Sequence, residues 1–112
     1  MTPSNRRVVL ITGAGRTIGK ALALGFAAEG YSVGVTSTTT MRNEEVAREI
    51  VEDGGEALAI HLNVADEQSV AAAVDAMVKR YGRIDALVNN AALKLGFVPE
   101  SDRLIKDLPR AT

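Results

Sequence analysis

Apolar and polar positions along the chain follow two alternating periods. Short continuous apolar runs, such as Val8-Val9-Leu10-Ile11, are typical of strands that are covered on both faces of a sheet. Between them, apolar residues recur every three or four positions, which is the spacing of a helix with one buried side. The runs predict strands at Arg7–Thr12, Tyr31–Thr36, Ala57–Leu62 and Ile84–Val88. The stretches between them predict helices at Ile18–Glu29, at Asn43–Glu52 and between Asp66 and Gly82.

The helix between Asp66 and Gly82 has the clearest signals. Asp66 is a suitable N-cap because its carboxylate can accept a hydrogen bond from an unpaired backbone N–H. Gly82 is a suitable end because glycine readily adopts the left-handed conformation that follows many helices. The apolar positions of this helix recur with helical spacing, and we expect Met77 and Tyr81 among them to lie in the core; these positions are Val70, Ala73, Val74, Met77, Val78 and Tyr81.

The order of these elements is βαβαβαβ, which indicates an α/β fold. Strands separated by helices predict a doubly wound parallel sheet with right-handed crossovers and helices on both faces. The length of 112 residues is that of one domain. The periodic pattern ends near Ala92, and we expect residues 93–112 to form a loop and one short helix.

The composition excludes several classes of function. The chain contains no cysteine, which excludes disulfides, thiolate metal sites and a cysteine nucleophile. Its formal net charge of −1 provides no basic patch for nucleic acid or a membrane surface. No apolar run approaches the length of a membrane span or of a signal peptide. His61 has no evident metal or nucleophile partner, so we assign it a packing or surface role. We therefore expect a cytoplasmic protein without a metal, nucleic-acid or membrane partner.

One glycine-rich turn has the pattern of a phosphate-binding site. Between the first strand and the first helix, residues 12–19 read Thr-Gly-Ala-Gly-Arg-Thr-Ile-Gly. The free N–H groups and the positive end of the helix dipole favour an anion at such a helix start, and glycine lets the backbone approach it. Glycines also occur in tight turns that bind nothing, but the strand before and the helix after favour phosphate binding. We expect Gly13, Ile18 and Gly19 to form part of a nucleotide site.

The spacing Thr-Gly-x-x-x-Thr-x-Gly in this turn resembles the Thr-Gly-x-x-x-Gly-x-Gly turn of the short-chain dehydrogenase/reductase family. Leu62-Asn63-Val64, after the third strand, resembles the Asp-Val step with which that family contacts adenine. Residues 87–92, Leu-Val-Asn-Asn-Ala-Ala, resemble its Asn-Asn-Ala-Gly motif, and residues 81–85 resemble the helix exit before it. These matches occur in the family's order and span positions 7–92.

The resemblance implies a Rossmann-type, three-layer α/β/α domain that is incomplete relative to the family. The ketoacyl-carrier-protein reductases are its nearest group, since they include an Asn-Val variant like Asn63-Val64. The resemblance also implies that Asn63 and Val64 contact adenine and that Asn90 and Ala91 line the ribose and nicotinamide side. For Asn89 we favour a structural tie between neighbouring strand ends over contact with a ligand.

The end of the second strand bears on the choice between NADP and NAD. NAD enzymes commonly place an acid there to bind the ribose 2′-hydroxyl, but this chain has Ser37 and Thr38. Hydroxyls can donate to a phosphate, which an acid would repel. In the family, a basic residue at the position of Arg16 is associated with NADP. These residues predict NADP(H), with NAD as the alternative.

Two departures from the family qualify this picture. Thr17 replaces the middle glycine of the turn, and a β-branched residue tolerates a positive φ poorly. Two interpretations follow: the threonine hinders the close approach of the backbone to the phosphates, or it offers its hydroxyl to a phosphate. Ala92 replaces the last glycine of the Asn-Asn-Ala-Gly motif, a milder change.

A third departure concerns the chemistry. The family exchanges hydride with a carbonyl or alcohol using a Tyr-x-x-x-Lys pair, but Tyr31 is followed four residues later by Val35, and Tyr81 by Asp85. We therefore predict a cofactor-binding portion of an oxidoreductase for small carbonyl or alcohol substrates that is inactive by itself. The alternatives are a non-catalytic nucleotide binder and an interaction protein of the same fold. An isolated portion of this kind should form a homo-oligomer to cover its apolar faces.

Overall fold

The computed structural model describes residues 6–15 and 17–90. Within these ranges, strands and helices alternate as predicted: β1 (Val8–Thr12), α1 (Thr17–Ala28), β2 (Ser32–Ser37), α2 (Thr40–Glu52), β3 (Glu56–His61), α3 (Glu67–Tyr81) and β4 (Ala86–Asn89). Arg16, Ala91, and the loop and helix expected at 93–112 lie outside the described residues. No helix in the described ranges is both long and apolar enough to cross a membrane.

The strands form one parallel sheet in the order β3-β2-β1-β4. Successive strands run from β1 to β3 in one direction, and the chain then crosses back to place β4 on the other side of β1. The order therefore reverses at β1 and β4, and in sheets of this type ligands bind beyond the carboxyl ends of the strands at such a reversal. The predicted doubly wound parallel fold is confirmed.

The sheet separates two hydrophobic clusters because alternate residues of a strand face opposite sides. Val9 and Ile11 of β1 face the first cluster, where they pack with residues of α1 and α2. Val8 and Leu10 face the second cluster, which includes Val70, Ala73 and Met77 of α3. Met77 is fully buried, as its place in the apolar stripe predicted, and the sheet is covered by helices on both faces.

The ends of α3 form as the sequence predicted. The carboxylate of Asp66 accepts hydrogen bonds from the backbone N–H groups of Gln68 (2.9 Å) and Ser69 (3.4 Å). Gly82 follows the helix with φ = 82°, and its N–H donates to the Val78 carbonyl at 2.7 Å. These bonds satisfy backbone groups that a helix otherwise leaves without partners.

The predicted start of α2 was wrong. The helix begins at Thr40 and not at Asn43, and the Asn43 N–H already donates to the Thr39 carbonyl at 3.1 Å. Threonine has a low helix propensity, so the threonine-rich run suggested a loop. The structure places Asn43 in the interior with its side chain fully buried, and the helix begins three residues before it, at Thr40, with Thr39 as the N-cap.

Asp85 fixes the end of the sheet opposite the glycine turn. One carboxylate oxygen accepts from the Val8 N–H at 2.7 Å, and the Asp85 N–H donates to the Val8 carbonyl at 2.8 Å. The other oxygen accepts from Nη2 of Arg83 at 2.6 Å. The Arg83 bond first, and the Val8 N–H second, hold the pKa of Asp85 below its ordinary value. This side chain therefore joins the start of β1 to the entry of β4.

Candidate functional site

In the glycine turn between β1 and α1, the backbone at Gly19 lies too close to Gly13 for a side chain to fit there. Gly13 has φ = 65°, which glycine adopts readily. A Cβ atom on Gly19 would lie 1.9 Å from the Gly13 carbonyl oxygen, so the first turn of α1 rests directly on the turn. The N–H of Ala14 donates to the Thr36 carbonyl at 2.8 Å and links the turn to β2. Backbone N–H groups at the start of α1 are thereby held at the carboxyl end of the sheet.

The two asparagines after β4 hold this turn in place. The Thr12 hydroxyl donates to Oδ1 of Asn89 at 3.1 Å, which ties β1 to β4 as the structural interpretation of Asn89 predicted. Nδ2 of Asn90 donates to the Gly13 carbonyl at 3.2 Å. The sequence indicated a ligand contact for Asn90 but did not indicate this second role. This bond joins Asn90 directly to Gly13.

Thr17 and Ile18 open α1 at the surface. Thr17 has φ = 54°, the one positive φ of a non-glycine residue in the described ranges. Thr17 stands where the family's turn has a glycine, and it adopts the left-handed conformation that glycine favours. The Ile18 side chain is 68% exposed and presents an apolar surface beside the turn. A ligand at the start of α1 would meet both side chains.

The corner between β2 and α2 forms the neighbouring wall of the site. A Cβ atom on Gly15 would lie 3.1 Å from Oγ of Ser37 and 3.1 Å from Cβ of Arg42, so the corner lies against the glycine turn. Thr38 is exposed at the same corner. The corner thus brings hydroxyl groups beside the turn, and its sequence from Thr36 to Thr40 contains no acid.

The sequence missed Asn43, which organises this corner from the interior. Its Nδ2 donates to the carbonyls of Ser37 (3.2 Å) and Ile60 (3.0 Å), and its Oδ1 accepts from the Ser37 hydroxyl at 2.5 Å. One amide therefore joins the end of β2, the end of β3 and the first turn of α2. A lone asparagine at the polar start of a helix carries no sequence signal for this role, because such residues are usually solvated.

Asn63 and Val64 follow β3, next to the end of β2. The Leu62 N–H donates to the Ser37 carbonyl at 2.9 Å, which brings this segment to the same edge of the sheet. Asn63 is exposed, and its Oδ1 accepts from the Ala65 N–H at 3.0 Å. An amide oxygen has a second lone pair, so this bond leaves Asn63 able to accept from a ligand. Val64 packs against the second hydrophobic cluster.

The described site residues therefore form a continuous edge along the carboxyl ends of the strands. The glycine turn lies at its centre, Asn90 on the β4 side, and Ser37, Thr38 and Asn63 on the side of β2 and β3. His61 is exposed and takes no part in this arrangement, in agreement with the packing or surface role assigned to it. A backbone cradle of this kind, with hydroxyl and amide groups to one side, suits an extended ligand that contains a phosphate.

Comparison with known proteins identifies relatives along almost the whole chain. The sequence profile of the short chain dehydrogenases matches residues 7–109. A 3-oxoacyl-[acyl-carrier-protein] reductase from Synechocystis sp. is 42% identical over 94 residues, which cover 83% of this chain and 38% of the reductase. The chain thus spans less than half the length of this curated relative.

Solved structures show the same similarity in three dimensions. A metagenomic short-chain oxidoreductase in complex with NADP is 36% identical, with a TM-score of 0.74 over 78% of this chain and 39% of that one. A 7α-hydroxysteroid dehydrogenase complexed with NADH and 7-oxo glycochenodeoxycholic acid is 38% identical, with a TM-score of 0.76 over 78% of this chain and 34% of that one. Relatives of this chain have therefore been solved with either dinucleotide.

Proposed function

The chain belongs to the short-chain dehydrogenase family, and from this premise we propose that it is the NADP(H)-binding portion of an oxidoreductase. The whole protein would transfer a hydride between nicotinamide and a carbonyl or alcohol substrate. The 3-oxoacyl substrate in the name of the Synechocystis relative is one example of that class. The observation that supports the proposal best is the backbone cradle at the strand-order reversal, where Gly19 lies directly on the Gly13 carbonyl.

In this proposal the cofactor would extend along the carboxyl edge of the sheet. Its pyrophosphate would lie at the glycine turn and the start of α1, its adenosine toward β2 and β3, and its nicotinamide toward β4. The residues proposed to bind it are Gly13, Arg16, Thr17, Ile18, Gly19, Ser37, Thr38, Asn63, Val64, Asn90 and Ala91. When bound, the cofactor supplies or accepts the hydride.

The residues of this chain would bind and orient the cofactor without exchanging a proton with the substrate. Within the 112 residues, neither tyrosine stands four positions before a lysine. The start of α1 would hold the pyrophosphate with backbone N–H groups, and the bond from Asn90 to Gly13 would keep that turn in shape. We therefore expect the chain to bind nucleotide but to show no turnover of carbonyl substrates by itself.

The preference for NADP(H) is argued from charge. The corner after β2 contains no acid to repel a 2′-phosphate, and Arg16 adds a cation within the turn. Guanidinium groups bind phosphate through charge-assisted hydrogen bonds, which are stronger than bonds between neutral groups. Arg16 and the exposed Thr38 would therefore favour the nucleotide with the additional phosphate.

Titration of the chain with NADPH and NADH tests this proposal. Arg16→Ala should weaken NADPH binding by about tenfold and NADH binding much less, because it removes a charge-assisted bond to the phosphate. Arg48→Ala, which removes the same charge from an exposed position in α2, is the matched control and should change neither affinity. Equal weakening of both nucleotides by Arg16→Ala would contradict the assignment of NADP, and failure of the unaltered chain to bind either would contradict nucleotide binding itself.

A further inference from the structure

The amide of Asn43 can be oriented in one way only. Two backbone carbonyls, those of Ser37 and Ile60, lie 3.2 and 3.0 Å from its nitrogen, and a carbonyl can only accept a hydrogen bond. The amide nitrogen must therefore face these carbonyls, and Oδ1 must face the Ser37 hydroxyl. Because Asn43 is fully buried between β2, β3 and α2, water does not compete for these bonds.

This orientation decides how the Ser37 hydroxyl is used. Oδ1 of Asn43 has no hydrogen, so the 2.5 Å contact requires Ser37 to donate its single proton. The Thr39 N–H donates to Oγ of Ser37 at 3.1 Å. The Thr39 carbonyl, at 3.4 Å, is the weaker alternative acceptor for the same proton. After these two bonds, Oγ of Ser37 has one lone pair left with which to accept a hydrogen bond. Oγ lies against Gly15 of the proposed phosphate-binding turn.

We propose that Asn43 is a positioning residue that makes Ser37 a hydrogen-bond acceptor, so that this corner recognises the 2′-hydroxyl of the adenosine ribose and not a 2′-phosphate. A ribose hydroxyl can donate to the lone pair of Ser37. A phosphate monoester is largely without protons at neutral pH and would face that lone pair with another acceptor. This inference rests on the proposed nucleotide site, and it assigns any preference for NADP(H) to Arg16 and Thr38, with Ser37 acting against it.

Ser37→Ala separates this inference from the simpler view that Ser37 donates to the phosphate. The variant should raise the dissociation constant of NADH about threefold to tenfold, the effect of one neutral hydrogen bond, and change that of NADPH less than twofold. The simpler view predicts the opposite order. Ser32→Ala is the matched control, because Ser32 lies at the other end of β2 and donates to Glu56; it should leave both constants unchanged.

Asn43→Leu tests the positioning role itself. With its preferred acceptor removed, the Ser37 hydroxyl keeps only the weaker Thr39 carbonyl at 3.4 Å and can turn to donate to a phosphate, so the affinity ratio should shift toward NADPH. The same substitution in a Ser37→Ala background should leave that ratio unchanged, because the hydroxyl through which Asn43 acts is then absent. Circular dichroism shows whether the leucine variant is folded; if it is not, the comparison of Ser37→Ala with Ser32→Ala decides.

Ser37→Ala overturns the inference if it weakens NADPH as much as or more than NADH, or if it changes neither affinity. Persistence of the Asn43→Leu shift in the Ser37→Ala background overturns it as well. In these cases the proposed function stands, because the nucleotides still bind. Failure of the unaltered chain to bind either nucleotide overturns the proposed function and this inference together.

Discussion

Thr17 provides a direct test of how the glycine turn stores strain. We expect Thr17→Gly to stabilise the chain, because Thr17 has φ = 54° at the start of α1. A left-handed conformation costs an ordinary L residue roughly 1–2 kcal/mol. The greater freedom of glycine in the unfolded chain costs about 0.5–1 kcal/mol in the other direction. The difference is a net stabilisation of about 0.5–1 kcal/mol, which corresponds to a rise in Tm of about 2–5 °C for a domain of this size.

The same substitution should improve nucleotide binding. Removing the side chain exposes the backbone N–H groups at the start of α1 to the phosphates, and we expect the dissociation constant of NADPH to fall by about threefold, the result of a gain of about 0.6 kcal/mol. Thermal unfolding followed by circular dichroism and titration followed by NADPH fluorescence measure the two effects. Thr17→Ser keeps the hydroxyl without the branch, and Thr17→Val keeps the branch without the hydroxyl.

These controls separate backbone strain from the chemistry of the hydroxyl. Strain predicts the order Gly, Ser, Val for Tm, because valine keeps the branched Cβ in a conformation that disfavours it. If Thr17→Gly lowers Tm, or weakens NADPH binding as much as Thr17→Val does, the hydroxyl contributes more than the strain costs. The explanation of the turn given above would then be refuted.

Two further substitutions test the packing of the turn and the opposite end of the sheet. Gly19→Ala should destabilise the chain by about 2–3 kcal/mol and abolish nucleotide binding, since its Cβ would lie 1.9 Å from the Gly13 carbonyl. Gly25→Ala in the same helix meets no atom within 4 Å and should stabilise by about 0.5–1 kcal/mol; similar urea midpoints for the two variants would contradict this reasoning. Because the bonds from Arg83 and the Val8 N–H lower the pKa of Asp85 in the folded chain, its contribution to stability is present above the unfolded pKa and is lost as pH falls through the folded value. Asp85→Asn should therefore destabilise the chain at neutral pH and reduce the loss of stability in acid, and an unchanged pH profile in urea unfolding would argue against it.

The fold could be predicted because its signals are local. The unbroken apolar run of β1 and the spacing of Val70, Ala73 and Met77 in α3 report burial directly, whatever the rest of the chain does. Asp66 and Gly82 mark the ends of α3 through bonds to their own neighbours in sequence. The start of α2 was missed because it depends on where Asn43 is buried, and that position is set by β2 and β3.

The candidate site could be predicted where backbone geometry determines it. The need for glycine at positions 13 and 19 follows from a close approach within one turn, and the sequence shows the glycines. The bond from Asn90 to the Gly13 carbonyl joins groups that are 77 positions apart, and it depends on β4 lying beside β1. A pattern in the sequence can place both residues at one edge of the sheet without showing that one holds the other.

The direction of a hydrogen bond is harder to predict from sequence than its partners are. At Ser37 this direction determines which ligand group the hydroxyl can bind. A serine hydroxyl can donate or accept, so its presence after β2 does not distinguish a phosphate from a ribose hydroxyl. The distinction comes from Asn43, whose amide is oriented by the carbonyl of its neighbour Ser37 and by that of Ile60 on the adjacent strand. Because the Ile60 carbonyl can only accept, the amide oxygen faces Ser37 and takes its proton. A residue in the interior thus determines what a residue at the surface can recognise, and substitutions at both positions are needed to read the preference for one nucleotide over the other.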